Sequence, residues 1–268
     1  MAEIRISSDS ADGLKAIVLA GGKGSRLDSD SAGLPKAMRK LCGKPILGYV
    51  LDALGFLPPQ DIIIVVGYMK ESIIESFGGL GFRFAVQAEQ NGTGDAVKSA
   101  KAELDGFGGD VIVCCGDMPL MKRDTYIKLA EYHRNGNLDC AILAGTRSSI
   151  VDLSSFGRVR VSSDGAFERV TEARDLTAAD KDAEASGTMT PLFNSGVYVF
   201  KTGSLFAALE ELRPANSQRE YYLTDAPAII ARQGGAVQVY THDLGCQIQG
   251  VNTMEDLRAA EEYLNNVG

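Results

Sequence analysis

A chain of 268 residues, 45% hydrophobic and 23% charged, has enough apolar material for one large α/β domain or two modest ones, and its composition is neither disordered nor fibrous. The formal charge of −8 excludes a general binder of nucleic acid or anionic membrane, because such binders rely on summed positive charge; any phosphate site must be local. No run of about 18 apolar residues is present, so no membrane span is expected.

Residues 1–13, MAEIRISSDSADG, lack the apolar core of a signal peptide and read as a polar tail, with the cytoplasm as the expected compartment. KAIVLA (15–20) is a strand-like run that breaks into LAGGKGSRL (19–27), with glycines at 21, 22 and 24. PILGYVLDALGFL (45–57) has helical spacing, DIIIVVGY (61–68) is apolar on both faces as a covered parallel strand must be, and KESIIESFGG reads as a helix ended by glycine. FRFAVQ (82–87) is a strand, TGDAVKSAKAEL (93–104) a helix opened by Thr93, and DVIVCCGD (110–117) another apolar strand. A helix over 123–136 and a strand over 140–145 complete an alternation that implies parallel strands joined by helical crossovers.

Past residue 150 the pattern changes. FGRVRVSSDGAFERVTE (156–172) alternates with a period of two around Ser-Asp-Gly, as an antiparallel hairpin does. Residues 174–191 are polar and read as a mobile loop or short helix. A strand at 192–201, helices at 204–212 and 223–235, a strand at 236–242 and an amphipathic helix from Met254 follow. The fold expected is α/β: a doubly wound, mostly parallel, Rossmann-like sheet with a small antiparallel insert, in one domain from 14 to 268.

The five cysteines (42, 114, 115, 140 and 246) are odd in number and irregularly spaced, and they read as free buried thiols in a reducing compartment. His133 lies in a helix of surface-like composition and His242 after a strand; neither is near a motif. The glycine run fits neither the GxGxxG nor the Walker A spacing, which leaves a plain turn or a phosphate loop. Arg26 and Lys36 favour the phosphate loop, because cations beside glycine-rich amides suit an anionic ligand. Asp117 directly follows an apolar strand, where it either delivers a carboxylate to the ligand edge of the sheet or caps a turn. Asn252 reads by itself as the N-cap of the last helix.

LAGGKGSRL and LPKAM (34–38) are followed in order by QAEQNGTGDAV (87–97), CGDMPL (115–120), FGRV (156–159), VTEARD (170–175), NSGVYVF (194–200), EYYLTD (220–225) and QGVNT (249–253). This series closely resembles the sugar-1-phosphate nucleotidyltransferases, which make nucleotide sugars, and among them the uridylyltransferase half of the bifunctional N-acetylglucosamine-1-phosphate uridylyltransferase/glucosamine-1-phosphate acetyltransferases. Such chemistry brings two polyanions together, so positioning and charge neutralisation should carry it. Arg26 would stabilise the leaving pyrophosphate and Lys36 the charge between the α-phosphate and the sugar phosphate. The resemblance implies Mg²⁺ held by Asp117 and Asn252, a hard cation that needs few protein oxygens. It assigns the base and phosphates to Ala20, Gly21, Gly22, Gly24, Gln87, Gly92 and Thr93, within a nucleotide-binding part of about 14–150. The amino sugar falls to Gly157, Glu172, Asn194, Tyr222 and Thr224, within a part of about 151–268; Tyr222 reads equally as a half-buried structural aromatic. The implied partners are UTP and N-acetylglucosamine 1-phosphate, with no nucleic acid and no membrane.

Two positions depart from the resemblance: Gly22 stands where alanine is usual, and Cys115 where tyrosine is frequent. No hexapeptide repeats are present, so the acetyltransferase β-helix is expected to be absent. Another base or sugar phosphate is the alternative within the class. A binding module without turnover is the alternative outside it, and the joint presence of Arg26, Lys36, Asp117 and Asn252 opposes that reading. A nicotinamide dehydrogenase fails on glycine spacing.

Overall fold

The computed structural model of the chain describes residues 13–22, 33–146, 152–187 and 190–267. Its strands are β1 (Leu14–Leu19), β2 (Lys40–Leu41), β3 (Lys44–Pro45), β4 (Ile62–Val66), β5 (Arg83–Val86), β6 (Asp110–Cys115), β7 (Cys140–Gly145), β8 (Arg158–Val161), β9 (Phe167–Thr171), β10 (Leu192–Lys201) and β11 (Val237–His242). The α-helices are α1 (Ile46–Ala53), α2 (Lys70–Phe77), α3 (Thr93–Ser99), α4 (Arg123–Asn135), α5 (Ala178–Ala185), α6 (Thr202–Glu211), α7 (Ala226–Arg232) and α8 (Met254–Val267).

The sheet runs β11-β7-β10-β6-β1-β4-β5, with β8 and β9 attached beside β10. Parallel pairing joins β4 to β1 and β5, β1 to β6, and β7 to β11. Side chains alternate between two apolar layers: Ile62, Ile64 and Val66 of β4 enter one core cluster, Ile63 and Val65 the other. That explains why β4 is apolar throughout, since helices cover both faces.

The sheet is mostly parallel, but its antiparallel strand is not peripheral. β10 sits between β6 and β7 and runs antiparallel to both, while the β8–β9 hairpin pairs with its start at Leu192 and Phe193. A bulge between Asn194 and Tyr198, with Gly196 at φ +75°, shifts the register there.

Several helices are shorter than their periodicity predicts. The pattern over 93–104 divides into α3 and a 3₁₀ turn (Lys101–Leu104), and the Ser99 hydroxyl donates to the Ala96 carbonyl where they separate. The pattern over 223–235 opens as a 3₁₀ turn (Leu223–Asp225) and becomes α-helical at Ala226 with Pro227 in the first turn, where a missing N–H costs nothing. α1 ends at Ala53, short of Leu57. The polar stretch contains α5, opened by a capping box in which Thr177 and Asp180 exchange side-chain-to-backbone bonds. Ion pairs tie α5 to the hairpin: Arg158 to Glu184 at 2.9 Å, with Arg160 and Arg169 both reaching Asp180.

The thiols are free, but not all are buried: Cys42 is exposed in the β2–β3 turn and Cys115 is partly accessible. His133 is only 1% exposed, because it shares the inward stripe of α4 with Tyr126, Leu129 and Ala130.

Candidate active site

A cavity of about 410 Å³ opens at the carboxyl ends of β1, β5 and β6, the side of an open α/β sheet where ligands collect. Leu19 to Gly22 leave β1 into it, Gln87 follows β5, and Cys115 to Asp117 finish β6. Gly92 and Thr93 reach it from the start of α3, Lys36 from a 3₁₀ turn after Pro35, and Asn252 from the approach to α8.

Three distant residues meet at its rim. The Lys36 ammonium donates to Asp117 Oδ2 and, at 2.7 Å, to Asn252 Oδ1. Local structure explains why Asn252 is available. Capping of α8 falls to the next residue: Thr253 Oγ1 accepts from Asp256 N at 3.1 Å, and Asp256 Oδ2 accepts from the Asn252 and Thr253 amides at 2.9 and 2.8 Å. The Asn252 side chain is thereby left to face the site. The Val251 amide donates to the Asp117 carbonyl at 2.9 Å and holds the two loops together.

The Asp117 and Asn252 oxygens therefore converge on one cation, which is the arrangement a hard divalent ion needs. The ammonium shows that the spot accepts positive charge, so these residues fit Mg²⁺. Among the described residues no group of three His, Cys, Asp or Glu side chains is arranged to hold a metal ion.

Another set of hydrogen bonds centres on Gly21. Its carbonyl accepts from Gln90 Nε2 at 2.8 Å and from the Tyr68 amide at 3.1 Å. Gln87 is buried and donates from Nε2 to the Gly92 carbonyl at 3.1 Å and to Asp95 Oδ2 at 2.9 Å. Its donors are therefore spent internally, where the sequence left both a donor and an acceptor for a base. Gly92 adopts φ +110°, and a Cβ there would lie 2.6 Å from the Tyr221 carbonyl, so no side chain fits.

The residues expected to hold a sugar form a second group beside this cavity. The Asn194 backbone amide donates to the Gly157 carbonyl at 2.9 Å, and a Cβ on Gly157 would lie 3.6 Å from both Asn194 Cβ and Glu172 Cα. The bulge aims Asn194 Oδ1 at Tyr198 Oη (2.9 Å) and Gly196 N (3.2 Å), leaving its NH₂ as the group able to meet a ligand. Tyr222 is 7% exposed and its hydroxyl donates to Gln218 Oε1 at 3.0 Å. Burial raises the Glu172 carboxyl above its ordinary value, opposed by the Thr224 hydroxyl and Arg174 and reinforced by Asp175 and Asp225. Cys115 links the groups: it lines the cavity, burial drives its thiol pKa up, and the charges of Asp117 and Glu172 both add to that. Segment 220–224 laces the halves together, with Thr93 Oγ1 accepting from Leu223 N at 3.0 Å and Tyr221 N donating to Asn91 O at 2.7 Å.

Gly24 and Arg26 lie outside the described residues. Among the described residues nothing stands within 4 Å of where a Cβ on Gly22 would lie, so alanine there meets no described neighbour. Gln90, Asp95 and Glu220 went unnoticed in the sequence, although all three lie within quoted motifs.

The chain matches the family model described as MobA-like NTP transferase domain over residues 16–228. It is 36% identical over 251 residues to the bifunctional protein GlmU of Pelotomaculum thermopropionicum and 35% identical over 251 residues to that of Alkaliphilus oremlandii. In both cases 94% of this chain aligns with 52% of the relative, so the chain spans about half the length of the curated relatives it matches. A solved structure designated a glucose-1-phosphate thymidylyltransferase from Bacillus anthracis superposes with a TM-score of 0.69 at 18% identity, covering 95% of this chain and 96% of that one. This last likeness supports the fold.

Proposed function

The chain belongs to the MobA-like NTP transferase domain family, and on that premise we propose that it is a sugar-1-phosphate nucleotidyltransferase that joins UTP and N-acetylglucosamine 1-phosphate to give UDP-N-acetylglucosamine and pyrophosphate. The observation that carries this reading is the convergence of Lys36, Asp117 and Asn252 at the rim of the cavity. A pure binding module has little need of it. The resemblance of the ordered motifs to the uridylyltransferase half of the bifunctional enzymes favours uridine and the amino sugar.

A phosphate oxygen of the sugar phosphate attacks the α-phosphorus of the triphosphate, and the bond to the β-phosphate oxygen breaks as pyrophosphate leaves in line. A divalent ion such as Mg²⁺, held by Asp117 Oδ2 and Asn252 Oδ1, would supply charge neutralisation on the triphosphate. Lys36 adds positive charge at the same rim, where the transferring phosphoryl would accumulate negative charge. Arg26 takes the pyrophosphate. The main-chain turn at Ala20 to Gly22 lets the nucleotide approach without side-chain obstruction, while Gln87, Gly92 and Thr93 line the base end. Gly157, Glu172, Asn194, Tyr222 and Thr224 hold the sugar, Glu172 by accepting from hydroxyls and Asn194 by donating its NH₂ to an acetamido carbonyl. No described helix is long and apolar enough to cross a membrane; we place the enzyme in the cytoplasm.

The test is pyrophosphate release across a panel of four nucleoside triphosphates and several sugar 1-phosphates with Mg²⁺, the product identified by mass. UTP with N-acetylglucosamine 1-phosphate should be the fastest pair. Release with no pair would end the enzymatic reading, and a different best pair would replace the substrate.

A further inference from the structure

Gln87 has one side-chain oxygen and one NH₂, and both partners on its NH₂ side, the Gly92 carbonyl at 3.1 Å and Asp95 Oδ2 at 2.9 Å, are acceptors only. Turning the amide over would set oxygen against two oxygens, so its orientation is fixed. The oxygen is then presented on the opposite side, against Gly21, where a Cβ would come within 3.3 Å of it. Among the described residues nothing donates to it, and Gln87 and Gly21 both line the cavity. Asp95 stands behind Gln87 in the first turn of α3 and does not line the cavity.

The geometry points to Asp95 as a positioning residue for base choice: by holding the Gln87 NH₂ it makes Gln87 an obligate acceptor, which selects bases with an imide N–H and rejects cytosine. The inference rests on the proposed nucleotidyltransferase reading. Uracil and thymine carry N–H at ring position 3 and can donate to Gln87 Oε1. Cytosine carries a lone pair there, and two facing acceptors leave a buried group unpaired, the circumstance in which polar sites discriminate most strongly. A helix-dipole role alone, the ordinary use of an acid in a first turn, would affect all nucleotides alike.

The experiment compares wild type, Asp95→Ala and Asp95→Asn in kcat/KM for UTP and for CTP with one sugar phosphate, beside melting temperature. Asp95→Ala should lower the UTP:CTP ratio about tenfold, chiefly through KM, whereas Asp95→Asn, which keeps an acceptor oxygen, should retain most of it. An unchanged ratio in a folded Asp95→Ala protein, or equal losses for both nucleotides, overturns the inference. If Asp95→Ala does not fold, the wild-type Gln87 side-chain amide decides. Its NH₂ signals, assigned in a nitrogen-correlated spectrum by their loss in Gln87→Leu, should be protected from exchange; rapid exchange counts against the inference. If the wild type turns over no pair, the proposed function fails separately, and calorimetry with UMP and CMP tests Asp95 by itself. Equal binding of the two by wild type would overturn it.

Discussion

The two ends of the central sheet use the same residue types to opposite effect. At the amino ends of β6 and β7, charged groups satisfy one another: Asp139 accepts from Ser204 Oγ at 2.8 Å and Ala236 N at 2.9 Å with Lys201 at 3.6 Å, and Arg134 reaches Asp110 at 3.4 Å. At the carboxyl ends Lys36, Asp117 and Asn252 converge on a cavity, and Gln87 keeps an oxygen without a described donor. A polar cluster saturated by its neighbours holds a fold together, and one that leaves capacity beside open space can hold a ligand.

The largest expected effect breaks the carboxyl end. Asp117→Ala should lower kcat/KM by about 10³-fold or more, and Lys36→Ala by about 10²-fold, because each removes charge from the transferring phosphoryl. Because Asp117 is about a quarter exposed at its side chain, loss of its Lys36 partner should cost stability little, within about 1 kcal/mol. Initial rates beside chemical denaturation check both, and equal losses of rate and stability would count against these roles.

Asp139→Ala is the converse variant. Burial alone would raise its carboxyl, but the Ala236 amide, the Ser204 hydroxyl and Lys201 bring it below the ordinary carboxylate value. The lowered pKa means stability that is present above the unfolded value and lost as pH falls toward the folded one. Substitution should cost about 1–3 kcal/mol at neutral pH by denaturant titration, with kcat unchanged.

A smaller effect separates the proposed sugar group from the cavity proposed for the nucleotide. Since burial raises the Glu172 carboxyl, it gains a proton at a pH above the ordinary glutamate value and can then no longer accept from two sugar hydroxyls at once. The KM for sugar phosphate should rise as pH falls toward the raised Glu172 value, more steeply in wild type than in Glu172→Gln, which keeps only the dependence of the substrate's own phosphate; the KM for UTP should show no such difference between the two proteins. Parallel pH profiles of the two proteins for sugar phosphate would argue against Glu172 at the sugar.

Much of this contrast was legible in the sequence, and its gaps have physical causes. Apolar runs give the strands because covered strands must be apolar on both faces, but such a run carries no direction, so nothing in LFNSGVYVFK showed that β10 lies antiparallel between β6 and β7. Lys36, Asp117 and Asn252 stood out as motif members, yet their meeting depends on three loops and a cap on Thr253 that no spacing encodes. Asp95 resembled an ordinary first-turn acid. The inward position of His133 could have been found, since Tyr126, Leu129, Ala130 and His133 follow the spacing of one helical face, which the charged residues between them obscured.

His133 also sets the smallest prediction, at the amino end. Its ring is buried, and neither nitrogen has a hydrogen-bond partner among the described residues. Asp110 Oδ2 lies 3.7 Å from Nδ1, too far for a hydrogen bond. Burial lowers its pKa; the Asp110 and Asp139 charges pull the other way, and Lys201 and Arg134 add to the lowering. The folded state then binds a proton less readily than the unfolded chain, so stability is lost as pH falls through the ordinary histidine value near 6.5 toward the lowered one. His133→Leu should stay within about 1 kcal/mol of wild type at pH 7.5, since it strands no bonded partner, and should lose less stability than wild type as pH falls through the ordinary histidine range. Denaturation midpoints across that range measure the difference. An identical acid slope in both proteins would mean that His133 is charged in the folded state, with Asp110 as its counter-ion, and that the amino end is held by one more ion pair than its distances show.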